Sequence, residues 1–281
     1  MGNFSATALE TYIRCPQQYA YKYQEKLWPH RPDDPMLQGQ LFHQLMEHLV
    51  QQCMTQHTAI TSLNAKNECE SFLNQTAIYQ KMISAGADPL ETLTTLQELL
   101  SAQLELEIQW GQITHASPAI TELKASFLLK NTHEMFDIRI DRVDRTDQGF
   151  WLIDYKTQST PPSWAELYRF QYLQPWLYSM YGLTQYQKNF LGFVYFLPKL
   201  KMIRPVIIFQ EEAYQVMSEW VPQKSKLLPP SLIPEKTEEA GLFVQELIQK
   251  IQRQEFAILN PPTQTCRVCS YRTFCKILHP G

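Results

Sequence analysis

The segment that most constrains this chain runs from Phe136 to Thr157 and reads FDIRIDRVDRTDQGFWLIDYKT. Apolar residues alternate with mostly charged ones on both sides of its centre, and a period of two is typical of β-strands. Asp147, Gln148 and Gly149 at the centre are residues that favour a tight turn. The segment therefore predicts a β-hairpin.

The pairing of the two strands brings three charged residues together. If the turn is centred between residues 147 and 148, Asp141 lies opposite Asp154, and Lys156 follows on the same face. Two facing carboxylates repel each other, and a hard divalent cation such as Mg²⁺ or Mn²⁺ between them removes the repulsion. On these residues alone, an exposed hairpin face with solvated charges and Lys156 as counter-ion explains the pattern equally well.

Composition limits the class of protein. The chain has 281 residues, of which 44% are hydrophobic and 12% aromatic, enough for one large or two small domains with a core. A net charge of −3 excludes a chain-wide basic field for nucleic acid, although not a local patch. Neither a transmembrane run nor a signal-peptide pattern is visible, so we expect a cytoplasmic protein whose clustered cysteines bind metal rather than form disulfides.

The N-terminal part of the chain predicts two helices. Thr7 and Glu10 have capping-box spacing for a first helix, which is interrupted at Cys15. A second helix over about 36–53 buries a stripe of leucines, and His43 projects away from that stripe.

Residues 55–118 predict a helical insertion. Its clearest helix starts at Asp88 and Pro89, a cap followed by a proline in the first turn. The predicted apolar stripe of that helix consists of Leu93, Leu96, Leu100, Leu104 and Ile108.

Helices and strands are also predicted around and after the hairpin. Ser163 and Glu166 form a second capping box, for a helix that Pro175 kinks and Gly182 ends. Further strands are predicted at 120–129, 190–196 and 202–209, and further helices at 211–220 and 237–254.

Four short polar motifs follow one another along the chain. They are Gly39-x-x-x-His43, Asp141, Asp154-x-Lys156 and Gln174-x-x-x-Tyr178. Each has an ordinary explanation, because a helical histidine is often structural, and a glutamine and a tyrosine one turn apart often only pack together. It is the order of the four that indicates a functional site.

In this order, the motifs resemble those of the RecB-type nucleases of the PD-(D/E)XK superfamily, over nearly the whole chain. The resemblance implies an α/β fold, with a restriction-endonuclease-like core in which a central mixed sheet is flanked by helices. It implies one nuclease domain over residues 1–281, which includes the helical insertion 55–118. Residue 15 and residues 255–281 would form a cysteine-rich metal-cluster element that joins the chain ends.

The same resemblance implies roles for the motif residues. His43, Asp141, Asp154 and the carbonyl of Tyr155 would be ligands of Mg²⁺ or Mn²⁺. The expected catalytic residues are Asp141, Asp154, Lys156, Gln174 and Tyr178; Lys156 is the catalytic lysine, and Gln174 and Tyr178 hold the DNA strand near the metal. Glu122 matches a glutamate that often precedes the hairpin, whereas Ile138 departs from the family pattern, which commonly has glycine there.

The cysteines form a second candidate site. Cys15 and the run Cys266-x-x-Cys269-x5-Cys275 supply four thiols, and on spacing alone they suit a structural zinc ion. The resemblance to AddB-type nucleases and their CRISPR-adaptation relatives implies instead an iron–sulfur cluster of the 4Fe-4S type. The two other cysteines have no partner by spacing and are expected to be buried thiols: Cys53 and Cys69.

Basic and aromatic residues alternate around the last cysteines. Arg267 and Arg272 interleave with Tyr271 and Phe274, a composition that suits single-stranded DNA through phosphate contacts and base stacking. A solvated surface over a local core explains the same residues equally well.

Together these features predict a Mg²⁺- or Mn²⁺-dependent DNA exonuclease that acts on single-stranded ends in DNA repair or recombination. The sequence contains no G-x-x-x-x-G-K-[ST] motif, so any unwinding would come from a helicase partner. Two alternatives stay open: a CRISPR-adaptation nuclease that trims spacer precursors, and a DNA-binding subunit that carries the cluster without catalysis.

Overall fold

The predicted hairpin lies in the middle of a five-stranded sheet whose strands follow chain order. The computed structural model describes residues 3–27, 34–130, 132, 134–219, 227–257, 266–267 and 269–275. The strands are β1 (Ser117–Leu128), β2 (Met135–Arg145), β3 (Phe150–Tyr155), β4 (Phe190–Leu197) and β5 (Met202–Ile208). Neighbouring strands are antiparallel except for β3 and β4, which are parallel. The sheet is therefore mixed, as predicted.

Helices precede, interrupt and follow the strands. Those in the described part of the chain are α1 (Ala6–Arg14), α2 (Pro16–Tyr19), α3 (Asp34–Gln56), α4 (Ala65–Leu73), α5 (Ala77–Ser84), α6 (Pro89–Thr114), α7 (Trp164–Tyr168), α8 (Gln174–Tyr186), α9 (Glu211–Ser218) and α10 (Ile233–Gln252). None of the helices in these ranges is long and apolar enough to cross a membrane.

The two faces of the sheet pack against different helices. One core joins the sheet to α1, α7, α8 and α10, and the other joins it to α3, α4, α5, α6 and α9. Successive residues of β3 are divided between the two, because Leu152 enters the first core while Trp151 and Ile153 enter the second. The predicted fold class, an α/β core with helices on a central mixed sheet, is confirmed.

The register of the hairpin is the one expected from its turn. Arg142 pairs with Ile153 and Val143 with Leu152, and the same register places Asp141 opposite Asp154. Gly149 closes the turn, and a Cβ atom there would lie 2.0 Å from the carbonyl oxygen of Asn189. The turn therefore packs so closely on the start of β4 that a side chain does not fit.

The predicted start of the first helix is wrong in its cap. Ser5, not Thr7, caps α1, since its side chain accepts a hydrogen bond from the amide of Ala8. Glu10 makes its contacts with a different helix, and they are described below. Cys15 does end α1, in an extended conformation.

The helix predicted from Ser163 to Gly182 is two helices. The capping box of Ser163 and Glu166 is present, but α7 ends at Tyr168 and Phe170 has a positive φ of 59°. Pro175 does not kink a helix but lies in the first turn of α8. Amides in the first turn have no partner within the helix, so the missing N–H of proline costs no hydrogen bond there. Gly182 does not end the helix but lies within α8. A Cβ atom there would collide with the ring of Phe190, which explains why the residue is glycine.

The predicted stripe of α6 is only partly correct. Leu96 and Leu100 are buried, whereas Ile108 is 46% exposed. The buried face also carries polar side chains, Gln103 and Glu107, which hydrogen-bond to each other. Apolar periodicity alone misses this face, because its polar residues find partners inside the protein.

Candidate active site

One cleft of about 1270 Å³ opens at the carboxyl ends of β3 and β4, the parallel pair of the sheet. Such an edge is where open α/β sheets commonly bind ligands. All the motif residues proposed to bind metal or act in catalysis line this cleft: His43, Asp141, Asp154, Tyr155, Lys156, Gln174 and Tyr178. The sequence motifs therefore converge in space.

The carboxylate of Asp141 is held from two sides. Its Oδ1 lies 3.1 Å from Nδ1 of His43 on α3, and its Oδ2 accepts a hydrogen bond of 2.8 Å from the amide of Tyr155. Both Asp141 and its partner in the hairpin, Asp154, are buried. The backbone of β3 and the side chain of His43 on α3 thus restrict the rotation of the Asp141 side chain.

The two oxygens of the Asp154 carboxylate contact different side chains. Oδ1 accepts a hydrogen bond of 2.7 Å from Nε2 of Gln174. Oδ2 lies 2.6 Å from Nζ of Lys156 and forms an ion pair with it. The ammonium of Lys156 also lies 5.4 Å from the centre of the ring of Tyr195.

The charges of the cleft influence one another through a buried environment. Burial, together with the charge of Asp141, raises the pKa of Asp154 to about 6, even though Lys156 opposes the shift. Burial also acts to raise the pKa of Asp141, but His43, Lys156 and the amide of Tyr155 together outweigh it and lower that pKa. Burial disfavours the charged forms of His43 and Lys156, yet Asp141 and Asp154 respectively raise the pKa of each. The favoured state is two ion pairs side by side.

Tyr178 and Glu122 both contact Arg139 of β2. Tyr178 is buried, and its hydroxyl donates a hydrogen bond of 2.5 Å to the carbonyl of Arg139. Glu122 forms an ion pair with the side chain of Arg139, a residue of the cleft wall. Tyr178 therefore fixes the strand that carries Asp141. Ile138, at the position where the family commonly has glycine, packs in the core.

Gly39 allows α3 to approach the hairpin closely. A Cβ atom at this position would lie 3.2 Å from Oγ1 of Thr157, a tighter contact than is usual. His43 lies one turn further along the same helix and contacts Asp141. The spacing of the first motif thus reflects a close approach followed by a contact with a carboxylate.

The donors in the cleft fit a hard divalent cation. Carboxylate oxygens are the preferred ligands of Mg²⁺ and Mn²⁺, and among the described residues Oδ2 of Asp154 is a buried acceptor held only by its ion pair with Lys156. In the described ranges, no three His, Cys, Asp or Glu side chains are already arranged around a common metal position. The fit therefore rests on the chemistry of the donors, two of which are now engaged with His43 and Lys156.

The cysteine site is brought together only in part. The thiol of Cys15 is close enough to Cys266 and Cys269 for their charges to raise its pKa, although burial is the larger cause. Cys275 packs with Cys269 in a small separate cluster. Most of the predicted element 255–281 lies outside the described residues. Cys53 and Cys69 are buried free thiols, as expected.

The predicted stacking role of Tyr271 is not supported. Tyr271 is 2% exposed, packs on Tyr21, and donates a hydrogen bond of 2.9 Å to the carbonyl of Leu27. Its ring is therefore part of a local core and is not available to a base. Arg267 and Arg272 are exposed, and the side chain of Phe274 lies outside the described residues.

Two cations of the cleft belong to no sequence motif. Arg14 and Lys199 are exposed, line the cleft, and form no ion pair in the described part of the chain. Lys199 follows β4 just as Lys156 follows β3. A signal was therefore present for Lys199: the ends of neighbouring parallel strands meet at the same edge of a sheet.

Comparison with known proteins agrees with this geometry. One component of the ATP-dependent helicase/deoxyribonuclease of Oceanobacillus iheyensis is 27% identical to this chain over 208 residues. The similar region covers 66% of this chain but only 18% of that relative. The family model of the PD-(D/E)XK nuclease superfamily matches residues 3–276, nearly the whole sequence. The chain therefore belongs to the PD-(D/E)XK nuclease superfamily.

Proposed function

We propose that this protein is a Mg²⁺- or Mn²⁺-dependent DNA nuclease, an exonuclease that acts on single-stranded ends in DNA repair or recombination. The observation that supports this most strongly is the convergence of Asp141, Asp154 and Lys156 in one cleft at the end of the parallel strand pair. Other members of the superfamily are nucleases, and the relative from O. iheyensis is named as a component of a helicase/deoxyribonuclease.

In this proposal Asp141 and Asp154 hold the cation, together with His43 and the carbonyl of Tyr155. When bound, the cation polarises a phosphoryl oxygen and lowers the pKa of a bound water. Lys156 remains protonated beside Asp154, since the carboxylate raises its pKa. From there its ammonium stabilises the negative charge that develops on the phosphate.

Gln174 and Tyr178 act on the protein side of the cleft. Gln174 holds Asp154 by its hydrogen bond to Oδ1, and Tyr178 holds the backbone of β2 at Arg139. A ligand that is fixed by further hydrogen bonds keeps its orientation, and loss of such partners typically lowers metal affinity about 10–100-fold. Gln174 and Tyr178 both line the cleft wall, from which they can also hold the DNA strand near the metal.

Arg14 and Lys199 support a polynucleotide as substrate. Both are exposed in the cleft, and neither is neutralised by a carboxylate within the described residues. Cations of this kind bind the phosphates that flank a cleaved bond and make binding depend on salt. The net charge of −3 leaves this local patch as the attraction for DNA.

A helicase is the partner that we propose. The relative is named as part of a helicase/deoxyribonuclease, and this sequence has no P-loop motif of its own. The second candidate, trimming of spacer precursors in CRISPR adaptation, requires the same cleft. A DNA-binding subunit without catalysis is disfavoured, because Asp141, Asp154 and Lys156 are all present.

We also propose that Cys15, Cys266, Cys269 and Cys275 hold an iron–sulfur cluster, with zinc as the alternative metal. The proximity of Cys15 to the two cysteines of the C-x-x-C pair supports a shared site. Ligation would stabilise the fold by tying α1 to the C-terminal segment, away from the nuclease cleft.

The test is digestion of end-labelled linear and circular single-stranded DNA with Mg²⁺, Mn²⁺ or EDTA. We expect cation-dependent cleavage of the linear substrate, and protection of the circle. Asp154→Asn and Lys156→Ala should abolish cleavage while retaining the fold and DNA binding, whereas Lys201→Ala, which removes an exposed lysine paired with Glu105, should match the wild type. Activity within a few-fold of wild type in both cleft variants would refute the assignment of this site.

A further inference from the structure

Glu10 contacts a helix that is distant from it in the sequence. Its Oε1 accepts hydrogen bonds of 2.8 Å from the amide of Leu173 and 2.9 Å from the amide of Gln174. These residues are 163 and 164 positions away. The carboxylate on α1 therefore caps the N-terminus of α8.

The cap is needed because α8 has no cap of its own. Leu173, the residue at the cap position, makes no side-chain hydrogen bond to the helix. Pro175 in the first turn has no amide, so the amides of Leu173 and Gln174 are the ones that Glu10 satisfies at this end. A negative charge at a helix N-terminus is also favoured by the helix dipole.

The capped residue is the one that holds Asp154. The backbone amide of Gln174 donates to Glu10, and its side-chain Nε2 donates to Oδ1 of Asp154 over 2.7 Å. A continuous chain of hydrogen bonds thus runs from α1 to a carboxylate of the cleft. Glu10 itself is absent from the cleft wall.

We propose that Glu10 is a positioning residue of the nuclease centre, which fixes Gln174 and through it the carboxylate of Asp154. The proposal rests on the proposed function for its consequence in catalysis, but the placement of α8 can be measured without any activity. It assigns to Glu10 a role that differs from the capping box of its own helix.

The first measurement compares Glu10→Ala with Glu10→Gln. Glutamine keeps an acceptor oxygen for both amides, so it should retain most of the function, whereas alanine leaves them unpaired. We expect Glu10→Ala to lower the affinity for Mn²⁺, measured by calorimetry, by up to about tenfold, the lower end of the range for loss of a group bonded directly to a metal ligand, because Glu10 acts through Gln174. Glu10→Gln should stay within about threefold of wild type.

The second measurement is hydrogen–deuterium exchange at the start of α8. Peptides covering residues 172–178 should exchange faster in Glu10→Ala than in wild type, with or without a divalent cation. The matched control is Ser163→Ala, which removes the cap of α7 without touching a residue of the cleft. It should speed exchange in α7 and leave Mn²⁺ affinity and cleavage unchanged.

A double variant tests whether the two residues act in sequence. Gln174→Leu removes the hydrogen bond to Asp154, so adding Glu10→Ala to it should lower Mn²⁺ affinity by less than twofold further, because the path is already broken. If Glu10→Ala does not fold, Glu10→Asp replaces it, since the shorter side chain retracts the carboxylate from both amides.

Three results would overturn the proposal. These are Glu10→Ala with normal exchange in 172–178 and unchanged Mn²⁺ affinity, Glu10→Gln as impaired as Glu10→Ala, and fully additive losses in the double variant. A wild-type protein that binds Mn²⁺ but cleaves no DNA would instead contradict the proposed function, and leave the exchange and affinity measurements as a test of Glu10.

Discussion

Removal of Arg142 should destabilise the protein strongly. Arg142 is 1% exposed and lies in β2 next to Asp141. Its Nη1 donates to both carboxylate oxygens of Glu107 at 2.8 Å, and its Nε and Nη2 donate to the two oxygens of Asp144 at 2.5 and 2.6 Å. Asp144 also accepts a hydrogen bond of 2.8 Å from the indole of Trp110. The substitution Arg142→Met removes the charge and all of these donors and keeps an unbranched side chain.

The charges of Glu107 and Asp144 determine how much stability is lost when Arg142 is removed. Two buried carboxylates share one guanidinium, so loss of Arg142 leaves two negative charges without a counter-ion. Breaking a buried ion pair from one side typically costs about 3–5 kcal/mol. In a chain of this size each kcal/mol lowers the melting temperature by about 2–4 °C, so the variant should melt roughly 6–20 °C below wild type. Glu107→Gln should cost much less, about 1.5 kcal/mol or less, because Asp144 still neutralises the guanidinium.

Denaturant unfolding at neutral pH, together with melting curves, measures both variants. Arg142→Lys belongs in the same series: it keeps the charge but cannot form two forked pairs, so its stability should fall between those of wild type and Arg142→Met. A free energy of unfolding for Arg142→Met within about 1 kcal/mol of the wild-type value, or an equal loss in Glu107→Gln, would contradict a charged cluster. Either result would mean that the cluster is not charged as its contacts indicate.

Three further predictions concern the two proposed metal sites. His43→Ala should weaken Mn²⁺ binding and raise the metal concentration needed for cleavage. Its loss of melting temperature should be much smaller than that of Arg142→Met, because His43 is partly exposed and Lys156 and the amide of Tyr155 still stabilise the charge of Asp141; a large loss of stability with an unchanged metal requirement would mark His43 as a packing residue. Burial raises the pKa of Asp154 to about 6, and Asp141 raises the pKa of His43 against the effect of burial, so protons should compete with the cation at both ligands as the pH falls. Mn²⁺ affinity measured by calorimetry should therefore decrease from about pH 7.5 to 5, by about tenfold or more per pH unit at the acid end; a constant affinity over this range would contradict this. Protein purified without oxygen should be brown and contain iron and acid-labile sulfide, and Cys15→Ala should lose the colour; a colourless protein with stoichiometric zinc would show that the iron–sulfur assignment is wrong.

The sequence predicts the centre of this fold well because its signals there are local. Alternation and a turn set the register of β2 and β3, and the register alone places Asp141 opposite Asp154. The sequence distinguishes His43 from the core residues of α3, because His43 lies off the leucine stripe of that helix. In the structure His43 contacts Asp141. These inferences need only the geometry of one element at a time.

Predictions failed where a residue has a distant partner. Thr7 and Glu10 have the spacing of a capping box, but the carboxylate binds amides 163 and 164 residues away. Ile108 continues the period of a leucine stripe but is exposed, while Glu107 beside it is buried against Arg142. Neither pairing leaves a periodic signal, since the residues that decide it lie on other elements.

The wrong predictions for Glu10 and for the buried face of α6 have the same cause, which is a polar contact with a distant part of the chain. Contacts of this kind also build the cleft. Each carboxylate of the cleft is oriented by a group from a separate part of the chain: Asp141 by His43 of α3, and Asp154 by Gln174 of α8. Further polar groups in turn fix these elements, because Glu10 caps α8 and Arg142 joins the strand of Asp141 to α6. Two like charges a few ångströms apart would otherwise drive each other to separate. The buried polar contacts that sequence periodicity does not reveal are therefore the ones that keep the two carboxylates together.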